Sequence, residues 1–380
     1  MFAIEVLILC FFVSCSQTSS PLDDLPAVPV GTVELIRSAE VPPESSLLNI
    51  GIVIFDTRPE ASVRVGDWIF EEIKQKEVHY LPYLMRNTLV ESDQWGAVRV
   101  LPQKDPSVDL LLYGTIVKSD GANLKLLVSA WDSTGREWLN RIYSDTTNEN
   151  DYPESVRSVS ANSPAEKFTE PFQDLYERVA NDLLIIRNQL SEAELLNIER
   201  VSEMIYANDL SPDTFGHLLQ EGPEGTVSVN SLLAVNDPML QRVGEMRVRH
   251  HLFIDTVDEY YSVLQQEMKT AYDLWRQYSY EEIEENRISE LEPGKDNSFV
   301  GSGSFISLSQ SYNRYKWSKI FEQEFAALAS GFISEVAPAI LAANSQIHGL
   351  SGDVEEQYTQ WRALLRSLFE LETGQDLSNN

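Results

Sequence analysis

The sequence predicts an α+β protein: a small β-α-β-β-β domain ahead of a mostly α-helical domain that contains one long helix. Three observations carry this. "LLNIGIVIFD", Leu47 to Asp56, is a near-continuous apolar run of the kind a buried strand requires. Three strand-like segments then follow one another, separated by the turn signals Asp120-Gly121 and Asp132 to Gly135. Finally, Asn236-Asp237-Pro238 is an N-cap signature, and the helical pattern behind it reaches about Ile283 with no Gly or Pro beyond Gly244.

Taken in order, the strand at residues 47–56 leads to "YLPYLMRNTLVESD", where Leu81, Leu84, Met85 and Leu89 recur at helical spacing and Pro82 suits a first turn. "WGAVRVLP" is a strand ended by Pro102. "VDLLLYGTIVKSDG", "ANLKLLVSAWDSTG" and "REWLNRIYSDTT" complete an antiparallel meander. A linker at 149–168 separates this unit, residues 48–148, from a helical domain at 169–374. There Phe172, Leu175, Val179, Leu183, Ile186 and Leu190 form one amphipathic stripe starting at Pro171. Ser191 and Glu194 make a capping box for the next helix, and Ser211-Pro212 opens a short third one that stops near Gly222. The long helix, roughly 45 residues, would extend ~65 Å and is expected to pack lengthwise against partners. "SFVGSGSFISLSQS" reads as a flexible loop whose glycines lack a dinucleotide fingerprint. Two closing helices carry Phe321, Phe325, Leu328, Phe332 and Val336, and then Val354, Tyr358, Trp361, Leu364 and Leu368.

A length of 380 residues suits two or three compact units, and 43% hydrophobic residues provide a real core. The net charge of −30 repels nucleic-acid and anionic-lipid phosphates, so nucleic acid is not expected as a partner. Cys10 and Cys15 are the only cysteines, which leaves no disulfide or cysteine metal site for the body of the chain. Past Val13 no apolar run approaches the ~20 residues of a helical membrane span.

Residues 6–13, "VLILCFFV", followed by "SCSQTSS", have the layout of a signal peptide's apolar region and cleavage zone. "FVSC", Phe12 to Cys15, resembles the lipobox of bacterial lipoproteins, with Ser14 small before the cysteine and Phe12 in place of the usual Leu. The resemblance implies residues 1–15 as a lipoprotein signal ending in an acylated, palmitate-type Cys15. Leu9 before Cys10 is too bulky for the rival site. Residues 1–14 contain Glu5 and no Lys or Arg, so the basic start of such a signal is missing, and an upstream start codon would supply it. In Gram-negative lipoproteins Asp after the cysteine favours the inner membrane; Ser16 implies the outer one. Residues 16–47, rich in Pro and Ser, read as a tether spanning ~30 Å or more.

Behind such an anchor, the strand-helix-strand-strand-strand order with "IGIVIFD", "WGAVRVLP", "LLLYGTIVKSDG" and "LLVSAWDSTGREWL" resembles a known group. These are the periplasmic α/β domains of curli-type secretion-channel lipoproteins, penicillin-binding-protein-activator lipoproteins and the N-terminal domain of the Tol-system translocation protein. The resemblance covers residues 48–148 and implies a domain that binds other envelope proteins without chemistry of its own.

Candidate chemistry is sparse. His251 lies four residues from Asp255, a helical spacing at which two side chains can share a metal, but two ligands do not close a site. A solvated polar face or an intrahelical ion pair is the expected account of His250, His251, Asp255, Asp258 and Glu259. No Gly-x-Ser-x-Gly elbow occurs, and the many carboxylates follow from the acidity. The runs "DEYYSV" and "WRQYSYEE" are expected to pack helices, although such rings also suit sugars and peptides. No catalytic residue, cofactor or metal is expected. The function expected is a non-catalytic assembly or accessory factor of an envelope complex, lipid-anchored to the outer membrane and facing the periplasm. The alternatives are an envelope enzyme or a sugar- or peptide-binding module using an inter-domain cleft, and a homo-oligomeric secretion component.

Overall fold

A computed structural model describes residues 27–40, 42–43, 47–58, 71–152, 170–231, 233–234, 237–291 and 352–374. The expected signal segment with Cys15, the Ser/Gly-rich stretch at 298–311 and the expected helix around 321–336 lie outside the described residues. The protein combines helices with a mixed sheet, in agreement with the α+β expectation.

The strands are β1 (Ala27–Pro29), β2 (Ile50–Val53), β3 (Asp56–Thr57), β4 (Val98–Leu101), β5 (Leu110–Ser119), β6 (Asn123–Asp132) and β7 (Glu137–Thr146), and the sheet order is β1-β7-β6-β5-β2-β4 with β3 beside β5. β2 pairs in parallel with β4 and β5, while β5, β6 and β7 form the expected antiparallel meander. Alternation sets its two faces. Leu110, Leu112, Ile116, Leu124, Leu126, Val128 and Ala130 are buried, whereas Tyr113, Thr115, Leu127 and Ser129 are half-buried and Trp131 is exposed. The buried face is covered by α1 (Glu71–Glu91) and α2 (Gln173–Arg187).

Helix α1 begins earlier than its apolar spacing suggests, so Pro82 falls in its interior instead of its first turn. The carbonyl that Pro82 has no N–H to bond, that of Val78, accepts from Phe55 N–H at 2.9 Å, which satisfies the freed group.

Part of the expected tether belongs to the body. β1 pairs in parallel with β7, Val30 and Leu35 are buried, and Val33 N–H and Ile36 N–H donate to Asp174 and Asn181 of α2, each at 2.9 Å. The reading of 16–47 as free linker is thus corrected over 27–40. A handful of apolar side chains there find the sheet edge, a long-range pairing that Pro/Ser composition conceals, and Pro29 lacks the N–H that would let that edge extend. The linker expected at 149–168 likewise starts ordered, with Tyr152 buried and donating its hydroxyl to the Gly121 carbonyl.

Helix α3 (Glu192–Leu210) starts from the expected capping box, Ser191 N–H donating to Glu194 Oε2 at 2.9 Å. The short third helix is only α4 (Pro212–Phe215), followed by a small hairpin, β8 (Leu219–Glu221) and β9 (Val227–Val229), that the sequence pattern did not reveal. α5 (Pro238–Leu291) is 54 residues long, and α6 (Val354–Thr373) closes the described chain. α5 does pack lengthwise, but on its own protein: it runs along β4, α1, α3 and α6. Of the rings in "DEYYSV" and "WRQYSYEE", Tyr260, Tyr261 and Trp275 are buried in the core and Tyr278 and Tyr280 are half-buried. A single hydrophobic cluster takes in both the sheet and the helices, so the expected boundary between two domains does not divide the core.

Candidate functional site

The link from β4 to β5, residues 102–109, must return across β2 to start a parallel strand. Its Val108 packs over Gly51, where a Cβ would stand 3.1 Å from Val108 Cγ2 and 2.4 Å from Cδ1 of Leu101, the last residue of β4. This crossover is where sequence-distant polar groups converge.

Asp105, at its middle, is fully buried and faces His250 of α5, whose Nε2 lies 2.6 Å from Asp105 Oδ2. Tyr358 of α6 donates its hydroxyl to the same oxygen, and Ser107 N–H donates to Oδ1 at 2.7 Å. Tyr206 of α3 stacks on the imidazole. Burial alone would raise the Asp105 carboxyl, but His250, Ser107 and Tyr358 together hold it well below the usual carboxylate range. A His–Asp pair supplies two of the three members of a catalytic triad, yet among the described residues no nucleophile is bonded to this imidazole. Both side chains are wholly buried, and the third group bonds the carboxylate rather than the imidazole. The arrangement ties the crossover, α5 and α6 together.

Four residues along the crossover, Asp109 pins the strand starts. Its Oδ2 accepts from Asn49 N–H at 2.8 Å and from Asn49 Nδ2 at 3.1 Å, and its Oδ1 accepts from Ser202 Oγ at 2.5 Å. Arg247 donates to the Ser107 carbonyl at 2.7 Å and lies 3.5 Å from Asp109 Oδ1.

The expected polar face of α5 is corrected by these contacts. His250 is buried rather than solvated, because the crossover covers that side of the helix. His251 lies 3.4 Å from the Ser107 carbonyl, and burial, with Arg99, Arg247 and His250 nearby, pushes its imidazole down to about 4. Asp255 turns away to Arg99 of β4, Oδ1 to Nε 2.5 Å, so it neither meets His251 nor pairs within its own helix. Asp258 likewise bonds Arg86 of α1 at 2.8 Å. No group of three or more His, Cys, Asp or Glu gathers as a metal would need among the described residues.

Outside the crossover, on the half-open face of the meander, lies a cleft of about 390 Å3. Its floor and walls include Val108, Leu111, Tyr113, Trp131, Ile205 and Val227, supplied by the crossover, β5, β6, α3 and β9. Leu111 pairs with Trp131 and Tyr113 with Ser129, so the two aromatic rings are diagonal neighbours on one sheet face. Trp131 is 36% exposed. Every carboxylate in the lining is engaged. Asp105 and Asp109 are bonded inward as above, and Asp132 takes Thr134 N–H at 2.9 Å and Arg136 N–H at 3.2 Å on Oδ1 and Trp138 Nε1–H at 2.9 Å on Oδ2. Lys104, at the rim, is exposed and has no ion-pair partner among the described residues.

The sequence did not single out this cleft. Tyr113 and Trp131 sit on the solvent side of their strands' alternation, which was the available signal, but only the tertiary arrangement brings α3 and β9 around them. No described helix is long and apolar enough to cross a membrane. Comparison with known protein families, curated proteins and solved structures finds no match to this chain.

Proposed function

We propose that this chain is a lipoprotein anchored in the outer membrane through Cys15, facing the periplasm, and acting as a non-catalytic accessory factor that binds another envelope protein. Residues 48–148 are its partner-binding α/β unit, and residues 169–374 form the helical part that braces it. The observation that carries this reading is the cleft over Tyr113 and Trp131, an apolar recognition surface whose lining carboxylates are all engaged in internal hydrogen bonds. An enzyme needs an accessible acid, base or nucleophile at its pocket. Asp105 borders the cleft, but its side chain and that of His250 are both fully buried and bonded to each other.

The test is site-specific photo-crosslinking in intact cells, with a photoreactive phenylalanine analogue replacing Trp131 in the full lipidated chain. A discrete adduct with an envelope protein is expected, absent when the probe replaces Ile185, an exposed residue on α2. Adducts at both positions alike, or none at Trp131, would overturn the reading. An adduct only with a second copy of the chain would favour the homo-oligomeric alternative.

A further inference from the structure

We infer that the cleft over Tyr113 and Trp131 takes the C-terminal end of a partner polypeptide, with an apolar last side chain on the two rings and the terminal carboxylate on Lys104; this rests on the protein-binding reading above.

The chemistry of the lining selects this ligand among those that aromatic floors accept. A sugar needs carboxylates or amides free to bond its hydroxyls. In this cleft Asp105, Asp109 and Asp132 each have both oxygens engaged by protein donors, and Asp105 and Asp109 are at most 1% exposed. What remains is apolar surface with the Tyr113 hydroxyl, the Trp131 indole N–H and one ammonium, that of Lys104, which has no ion-pair partner among the described residues; together they complement an apolar group that carries a single negative charge. The charge of the chain narrows the choice further. At −30 overall, the surface disfavours polyanions, whereas one carboxylate brought next to one lysine meets local attraction. The size agrees as well, since about 390 Å3 sits at the low end of small-ligand pockets and suits one or two terminal residues. A fatty acid shares the pairing of apolar tail and carboxylate, but its tail requires a long enclosed channel. This cleft instead lies on a half-open sheet face, where a peptide can lay its last residues and continue into solvent.

The test uses the full lipidated protein in detergent micelles, with empty micelles as the baseline. The anisotropy of a fluorescein-labelled Gly-Ala-Ala-Val-Phe peptide with a free carboxylate is compared with that of its C-terminal amide. The acid is expected to bind at least about tenfold more tightly than the amide, the difference expected of a charge-assisted contact. Lys104→Ala should remove that difference, and Trp131→Ala should weaken both peptides about tenfold. Lys104 is exposed and its variant should keep the wild-type urea midpoint; Trp131 is 36% exposed, so its variant is scored by peptide binding under conditions where its own urea curve shows it folded, which separates loss of the site from loss of the fold. Unlabelled chitotetraose should not compete. Equal binding of acid and amide would overturn this inference while leaving the protein-binding reading in place. Displacement of the peptide by chitotetraose, or binding of dodecanoate but of neither peptide, would overturn it in favour of a sugar or a lipid. Binding of neither peptide in spite of a Trp131 crosslink in cells would overturn it alone, whereas the absence of both would remove the two readings together.

Discussion

Asp258 on α5 accepts the backbone N–H of Val100, on edge strand β4, at 2.9 Å. A helix carboxylate thereby closes a sheet-edge donor that would otherwise be free to recruit another chain. The same side chain binds Arg86 of α1 at 2.8 Å, so one residue joins helix, strand and helix. Asp258→Ala leaves a buried donor and a partly buried guanidinium without their acceptor and should cost about 2–4 kcal/mol. Asp258→Asn keeps an acceptor and should lose less. Urea midpoints of the two variants give the comparison, and equal losses would mean that the bond to Val100 contributes little.

A second tie lies further along α5. Arg276 is fully buried, donates to Glu77 Oε1 at 2.8 Å and to Ser119 Oγ at 2.8 Å, and also bonds Tyr272 and the Asp120 carbonyl. Arg276→Met should destabilise by about 3–5 kcal/mol, because Glu77 would be left charged and buried. Adding Glu77→Leu should recover much of that loss. A double-mutant cycle on denaturation free energies measures the coupling, and additive losses would count against it.

The tip of the β5–β6 hairpin abuts the same stretch of helix. A Cβ on Gly121 would stand 2.1 Å from Tyr280 N and 2.5 Å from the Arg276 carbonyl oxygen, both backbone atoms. Gly121→Ala should therefore push the hairpin off α5 and lower the thermal midpoint by several degrees, about the change that 1–3 kcal/mol of overpacking produces. An unchanged midpoint would show that the helix can yield there.

His251 supplies a pH dependence. Its imidazole is pushed from 6.5 to about 4 by burial, with Arg99, Arg247 and His250 adding repulsion and the Ser107 carbonyl opposing. Between these values the unfolded chain binds a proton that the folded chain does not. Stability from this residue is therefore complete above pH 6.5 and is lost as pH falls toward 4. From pH 7.5 to 5 the loss should be about 2 kcal/mol. Asp145 and Asp273, each raised by burial to about 6, act with the opposite sign in this range but are present in wild type and variant alike. The difference between wild type and His251→Gln in urea midpoint at the two pH values isolates the histidine. Parallel pH profiles would remove it as the cause.

For the anchor, Cys15→Ala should release the protein from membranes and abolish fatty-acid labelling. Labelling that persists in the variant would move the attachment elsewhere or dismiss it.

Much of the meander was legible because its information is local. Period-two alternation sets the faces of β5 and β6, and Asp120 and Asp132 stand where the structure uses them, each accepting from backbone N–H groups of its own turn. The Ser191–Glu194 capping box is local in the same way. Helix α1 was only half legible, since Pro82 reads as a start until the distant Phe55 is seen to satisfy the Val78 carbonyl.

By itself the sequence determined an α+β composition, the strand order around the two hairpin turns, the capped start of α3 and a chain with no thiol beyond Cys15. Tertiary structure alone decided that residues 27–40 join the sheet and the long helix lies on its own protein. It also decided that His250 meets Asp105 across 145 positions, and that Tyr113 and Trp131 floor a cleft. The physical reason is range. Turns, caps and alternation act between residues a few positions apart and leave a periodic trace in the sequence. A buried ion pair or a shared cleft depends on chain crossings that bring unrelated segments together, and its residues carry no spacing that announces one another.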